Sequence, residues 1–271
     1  MTHDELSATD NGFSAQDIDT SVPHSARLYD WYLGGKDHYA ADIAAAQKVL
    51  ELFPRMKQTA RSNREFMHRA ARYLSSLGIT QFLDIGTGIP TEPNLHQIVQ
   101  QTTPHARVVY VDNDPIVLRH AQALLRGTPE GHLAYLHADV REPERILAHA
   151  QKHLDFTQPV GLSLIALLHF VADDQQPYRI VEKLLEPLVP ESHLMLSHGI
   201  IENPEIVKQV DAIYRTGGTS VRARTFDEIT PFFQGLQVCA PGIVPSTAWR
   251  PDNAMTVHDE PAVYAGVARK P

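Results

Sequence analysis

Only one cysteine, Cys239, occurs in this chain of 271 residues. An intrachain disulfide and a cysteine-rich zinc site are therefore both excluded, and a reducing compartment is the natural setting. Long apolar runs are missing too. The longest, "PVGLSLIALLHFVA" from Pro159 to Ala172, falls short of the ~20 residues that cross a bilayer, and it contains Gly161 and His169. Positive charge is scarce: 24 Lys and Arg stand against 32 Asp and Glu, for a formal net charge of −8. That balance argues against a nucleic acid as the main partner, because phosphate binding draws on clustered Lys and Arg. The polar, acidic start lacks the basic residues and apolar segment of a signal peptide. Residues 1–22 are expected to form a disordered tail on a cytoplasmic protein that neither spans a membrane nor binds a metal. There is no internal repeat, and the oligomeric state is not legible.

The remainder has the composition of an ordinary globular protein, with 43% hydrophobic residues. "PHSARLYDWYLGG" reads as a helix stopped by Gly34 and Gly35, since paired glycines suit a left-handed C-cap. "KDHYAADIAAAQKVLELF" predicts a second helix, with Asp37 as N-cap and Pro54 beyond its end. Phe66, Met67, Ala70, Leu74 and Leu77 recur at helical spacing between Lys57 and Leu77. These three helices are expected to form an N-terminal helical cap over residues 23–78.

From Gln81 the pattern changes. Apolar runs at "QFLDI", "ARVVYV", "LAYLHA", "VGLSLIAL" and "HLMLS" alternate with helical segments such as "PNLHQIVQQ" and "YRIVEKLLEPL". Strict alternation predicts βαβ units and a parallel sheet with helices on both faces, and continuous apolar strands agree with burial on both sides. Thr225 and Glu228 have capping-box spacing, and two extended segments close the chain. The whole of 79–271 is expected to be one α/β domain.

In an open parallel sheet, ligands bind beyond the carboxyl ends of the strands. The first strand ends in Asp84, followed by Gly86, Thr87 and Gly88; the second ends in Asp112 and Asn113; the third runs toward Asp139 and Val140. A dinucleotide would want a third glycine where Thr91 stands, and Asp84 would repel a pyrophosphate. S-adenosylmethionine carries no phosphate. Its ammonium suits Asp84, its ribose hydroxyls suit Asp112, and its adenine amine suits Asp139, while Gly86 and Gly88 let the backbone approach closely. The plainer reading of the two glycines is a tight strand-to-helix turn. Asp114, before Pro115, reads as a helix cap, and "DNDP" lacks the glycine and glutamate of a calcium loop.

"FLDIGTG", "VVYVDNDP" and "LHADVREP", in that order, resemble the successive cofactor motifs of class I S-adenosylmethionine-dependent methyltransferases. With "SARLYDWYLGGKDHYAAD", "RSNREFMHRAARYL" and "PGIVPSTAWRP", the chain resembles an actinobacterial S-adenosyl methyltransferase family formerly listed as a domain of unknown function. The resemblance covers nearly everything after the tail. It implies a Rossmann-like, doubly wound, seven-stranded sheet with the last strand antiparallel, and cofactor contacts at Asp84, Gly86, Gly88, Asp112 and Asp139. Where the broad class usually has a third glycine, this chain has Pro90. The fourth strand continues as "ALLHFVADD", without the Asn/Asp-Pro-Pro-aromatic motif of relatives that methylate exocyclic amines. With the acidic charge, that points to a small-molecule acceptor, with a protein substrate as the alternative.

His169 and His198, near the ends of the fourth and fifth strands, are the candidate catalytic bases; each also reads as a hydrogen-bonded structural histidine. Asn63 shares a helical face with Phe66, Met67 and Ala70, so it meets either the cofactor's carboxylate or a neighbouring helix. Aromatic residues around Gly34 and Gly35, and "TGGTS" from Thr216 to Ser220, suggest a lid and a flap; core packing and a surface loop are the simpler readings. The rival functions are a non-catalytic binder of S-adenosylmethionine and a nicotinamide-dependent oxidoreductase.

Overall fold

A computed structural model of the protein describes residues 19–124, 126–252 and 262–271. Most of the expected tail, residues 1–18, lies outside the described residues.

The chain begins with helix α1 (Ser25–Leu33), which ends at Gly34 with φ +87°, a left-handed value that glycine adopts without a Cβ penalty. Gly35 is required for a different reason: a Cβ there would stand 1.8 Å from Asp30 Oδ1. Oδ2 of the same carboxylate accepts the Asp37 amide at 3.0 Å and meets His38 Nδ1 at 2.8 Å. The glycine pair is thus a fastened corner rather than a free hinge.

Helix α2 (Ala40–Leu52) starts later than expected, with Tyr39 and not Asp37 at the N-cap. Asp42, at the third helical position, reaches back to the Tyr39 amide at 2.8 Å and also accepts the His24 amide at 2.9 Å. One buried carboxylate therefore satisfies an orphan donor at the start of each helix. In helix α3 (Met56–Ser76), Ala60, Asn63, Phe66, Met67, Ala70 and Leu74 are buried along one face.

The sheet follows. Strands β1 (Gln81–Ile85), β2 (Arg107–Asp112), β3 (His132–His137), β4 (Gly161–Ile165) and β5 (His193–Gly199) are parallel, and β8 (Val263–Arg269) lies antiparallel to β5. The order is β3-β2-β1-β4-β5-β8-β6, with β6 (Gln237–Val238) and β7 (Val244–Pro245) both paired to β8. Val238 faces Ala268 and Val244 faces Ala265, so six residues on one side match three on the other. The two short pieces are one interrupted edge strand, and the eight segments occupy seven positions.

Both faces of the sheet are covered. Phe82, Val108 and Tyr110 pack with α3 and with α4 (Leu95–Gln100), whereas Leu83, Val109 and Val111 pack with α6 (Pro143–Ala150) and α7 (Pro177–Leu185). Every residue of β1 is buried, as two-sided coverage demands. Trp249 reinforces the first face, edge-on to Phe66 at 5.3 Å, while Arg69 donates to its carbonyl at 2.8 Å. A fully buried aromatic of this size contributes roughly 1.5–3 kcal/mol or more by area alone.

Leu28, Tyr32, Ala46, Val49 and Ala60 form a further cluster with Val210 and Tyr214 of α8 (Pro204–Arg215). Helix α3 serves both bodies, its amino end in this cluster and its carboxyl end on the sheet. Helix α3 thereby joins the N-terminal helices to the sheet layer. No helix among the described residues is long and apolar enough to cross a membrane.

Candidate functional site

With β1 between β2 and β4, the chain winds away in both directions, and a crevice opens at the carboxyl ends of these strands. The cap roofs it, leaving a cavity of about 680 Å³. Asn63, Asp84, Gly86, Thr87, Gly88, Asp112, Asn113, Asp139 and Val140 all line this cavity, as does His169. His198 does not. It lies fully buried behind the wall, with Nδ1 donating to the Gly199 carbonyl at 2.7 Å and Nε2 accepting from Arg224 at 3.0 Å.

The turn after β1 is built on φ values of +75° at Gly86 and +69° at Gly88. A Cβ on Gly86 would also lie 2.7 Å from Leu167, whereas one on Gly88 would enter open space. Gly86 is thus set by its left-handed backbone and its closeness to the Leu167 side chain, and the space in front of Gly88 is open.

Asp84 is held up at about 6 because burial disfavours its charged form, and the Ser163 hydroxyl and Arg64 only partly offset that. Arg64 was missed by the sequence reading. It follows Asn63 directly on α3, and its guanidinium donates to the Pro93 carbonyl at 3.1 Å and to that of Thr91. Its Nε is buried without a partner. An acid and a cation therefore stand together at the glycine turn, a signal hidden in sequence because they come from different elements.

Asp112 is fixed by two backbone donors, Gly88 N–H at 2.8 Å and Asp114 N–H at 2.9 Å. Burial nonetheless raises its pKa. Asp139 is differently placed. Oδ1 accepts from the Arg141 amide and Nε at 2.9 and 2.7 Å, and Oδ2 accepts from Arg141 Nη2 at 2.6 Å and Asn113 Nδ2 at 3.1 Å. Burial pushes this carboxyl up, but the Arg141 and Asn113 bonds outweigh it and leave it below the usual range. All of its roughly four acceptor positions are filled.

Asn63 is committed on both sides. Its Oδ1 accepts from Ser197 at 2.6 Å and its Nδ2 donates to the Tyr29 hydroxyl at 2.9 Å, so it combines the helix contact with a place in the cavity wall. Asp114 caps α5 (Pro115–Leu124) through Ile116 N–H at 2.9 Å. Its other oxygen pairs with His24 at 3.0 Å and Arg27 at 3.4 Å, which ties α1 over the cavity. The Thr216–Ser220 loop, which also lines the cavity, packs against the start of the same roof: a Cβ on Gly217 would collide with the Pro23 carbonyl at 1.7 Å. Among the described residues, no cluster of His, Cys, Asp and Glu could hold a metal.

A doubly wound sheet with a reversed last strand, a glycine turn after β1 and acids at three adjacent strand ends define a methyltransferase-type α/β protein. The chain belongs to the S-adenosyl methyltransferase family, whose model matches residues 11–271. It is similar to the crystal structure of a DUF574 family protein from Streptomyces avermitilis, at 47% identity over 93% of this chain and 99% of that one, with a TM-score of 0.89. A candidate methyltransferase from Thermobifida fusca is 37% identical over 93% and 96%, with a TM-score of 0.85. A plantazolicin methyltransferase, solved with S-adenosylhomocysteine, shares the fold at 11% identity, covering 90% and 95%, with a TM-score of 0.50. No curated protein matches the chain.

The family's cofactor is S-adenosyl-L-methionine, and the residues present fit it. A zwitterionic amino-acid end needs a cation and an anion in one pocket, and Arg64, with a buried Nε that has no protein partner, lines the same cavity as Asp84 and acts on its charge. The space before Gly88 admits the chain, and preset Asp112 can accept hydroxyls.

Proposed function

We propose that this protein transfers the methyl group of S-adenosyl-L-methionine to a small-molecule acceptor. The observation that carries this reading is the convergence of Asp84, Arg64, Gly88 and Asp112 on one roofed cavity. When bound, the cofactor would supply an electrophilic methyl carbon: the acceptor's lone pair would bond to it in line as the carbon–sulfur bond breaks, the pair staying on the sulfur of a neutral thioether, and any proton on the acceptor atom would pass to water.

The protein's own part is to bind, orient and exclude water. Asp84 accepts from the ammonium, Arg64 donates to the carboxylate, and Asp112 accepts from the ribose hydroxyls. Val140 and Asp139 border the adenine. His169 lines the cavity on the β4 side, where an acceptor would meet the methyl group. Alignment of this kind lowers a barrier by roughly 7–11 kcal/mol, against a factor of ~10²–10⁴ from a general base. The reaction can therefore proceed on positioning alone.

Calorimetric titration with S-adenosylhomocysteine tests the reading. Binding that is lost in Asp112→Ala is expected, followed by acceptors that gain one methyl group in a mass-based screen. Uptake of NADH in place of the homocysteine compound would sink the proposal, and binding without turnover on any acceptor would reduce the protein to a cofactor carrier.

A further inference from the structure

The cavity is divided by charge. Its carboxylates, Asp84, Asp112 and Asp139, all stand at the β1, β2 and β3 ends. Over β4 and β5 the wall changes character: Val49, Phe53, Met56, Phe170, Ile201 and Val210 come together from α2, α3, α8 and the strand ends. Among the described residues no lysine or glutamate lines the cavity at all. The cation on this side, Arg215, is largely exposed, with its Nε on Asp211 at 2.6 Å. An ionised ligand here would lose hydration, an ammonium with no carboxylate of the described residues in reach and a carboxylate with only the exposed, Asp211-paired Arg215, at a cost of several kcal/mol.

His169 stands after β4 among the polar groups of the lining, with Tyr29, Thr59, Gln175 and Tyr214. Burial, and secondarily the nearby charge of Arg224, press its pKa down to about 4, so the ring is neutral at physiological pH. Its Nδ1 accepts the Gly199 amide at 3.4 Å. A neutral imidazole has one donor and one acceptor nitrogen, so the proton resides on Nε2. The ring therefore offers the chamber an N–H rather than a lone pair. Its perch is held from behind: Arg224 donates to the Leu168 and Val171 carbonyls at 2.8 Å each, and the Arg222 amide donates to the His169 carbonyl at 2.8 Å.

We infer that the β4–β5 half of the cavity receives an uncharged, predominantly apolar acceptor, ring-bearing in size, that presents a hydrogen-bond-accepting oxygen or ring nitrogen to His169. The inference rests on the methyl-transfer reading for the role of the occupant, but the chamber's preference can be measured without turnover. It recasts His169 as a donor that orients the acceptor rather than a base that deprotonates it.

The test uses three probes of one shape on the full-length protein saturated with S-adenosylhomocysteine: 2-naphthol, 2-naphthoate and 2-naphthylmethylammonium. Calorimetry is expected to show naphthol binding at least tenfold more tightly than either ion. Met56→Glu should weaken naphthol binding at least tenfold and make the ammonium probe the preferred one, with the affinity for S-adenosylhomocysteine unchanged within about twofold. His169→Asn, which keeps an N–H donor, should hold naphthol better than His169→Ala. Equal or tighter binding of an ion, no binding of any probe, or indifference to Met56→Glu would overturn the inference. Repeating the series without S-adenosylhomocysteine separates the two failures: a chamber that selects naphthol in a protein that takes up no cofactor would sink methyl transfer and leave the chamber standing.

Discussion

Ser197 and Asn63, 134 residues apart in sequence, share a hydrogen bond of 2.6 Å from the serine hydroxyl to the amide oxygen. The same hydroxyl oxygen accepts the amide of Ala166 at 3.0 Å, a non-glycine residue held at φ +53° just after β4. Asn63 passes the chain on to Tyr29, whose hydroxyl donates to the Ala60 carbonyl at 3.0 Å. The ends of β4 and β5 are thereby wired to the helical roof, and the strained turn at Ala166 is supported by the wiring.

Replacing Ser197 with alanine leaves the buried amide oxygen of Asn63 without this partner, while the Ala166 N–H keeps only its bond to the backbone carbonyl of residue 197 at 3.2 Å. A loss of ~1–3 kcal/mol is expected, measured as a lower midpoint in urea at an unchanged slope. A larger drop in affinity for S-adenosylhomocysteine than Thr59→Ser produces should accompany it, because the turn that closes the cavity relaxes.

Asp84 sets two opposed pH dependences. Its folded pKa, about 6, lies above the usual 3.8, so the neutral form favours folding and stability falls as pH rises between those values. Asp84→Asn should therefore raise the melting temperature at neutral pH, by an amount corresponding to at most about 3 kcal/mol. Cofactor affinity runs the other way. In the wild type it should weaken below about pH 6 as the carboxylate is protonated and no longer attracts the ammonium, and Asp84→Asn should abolish that dependence along with most of the binding. Thermal melts and titrations across this range check both halves.

The roof carries its own pH window. For His24, burial lowers the pKa, but the bond and charge of Asp114 outweigh it and leave the imidazole above 6.5. That stabilisation is complete below 6.5 and is lost as pH rises through the folded value. Asp114 lies below 3.8, its burial outweighed by His24 and the Ile116 amide, so its share is lost only in strong acid. Protection of the Arg27 and Leu28 amides, which bond the His24 carbonyl, should be greatest in mild acid and decline above neutrality once rates are divided by the intrinsic base-catalysed rate. In His24→Gln that decline in protection should disappear.

Asp139 meets the adenine amine only if Arg141 yields a place. Arg141→Ala should tighten binding of S-adenosylhomocysteine by roughly three- to tenfold, about 1 kcal/mol. Unchanged affinity would move the amine to the backbone near Val140.

Gly217→Ala is expected to destabilise the roof. The new methyl meets a backbone carbonyl, that of Pro23, and cannot be accommodated by a rotamer change. Limited proteolysis within Thr216–Ser220 should accelerate, whereas Gly218→Ala, at φ +78° with open space around it, should cost only the backbone term, on the order of 1 kcal/mol.

What could be read from the sequence alone was whatever depends on neighbours along the chain. Alternating apolar runs and helical periods set the doubly wound sheet, because two-sided burial and amphipathic packing are local patterns. The acids at Asp84, Asp112 and Asp139 were legible for the same reason: strand ends can be located, and parallel strands bring their ends together. Tertiary structure decided what depends on approach from a distance. Arg64 reaches the glycine turn from another element, Arg141 fills Asp139, and Arg224 turns His198 away from the cavity that His169 lines. The start of α2 moved from Asp37 to Tyr39 because Asp42 also had to serve His24. Hydrogen bonds and charges act over a few ångströms, and only the folded chain brings residues as far apart as Asn63 and Ser197 within that reach.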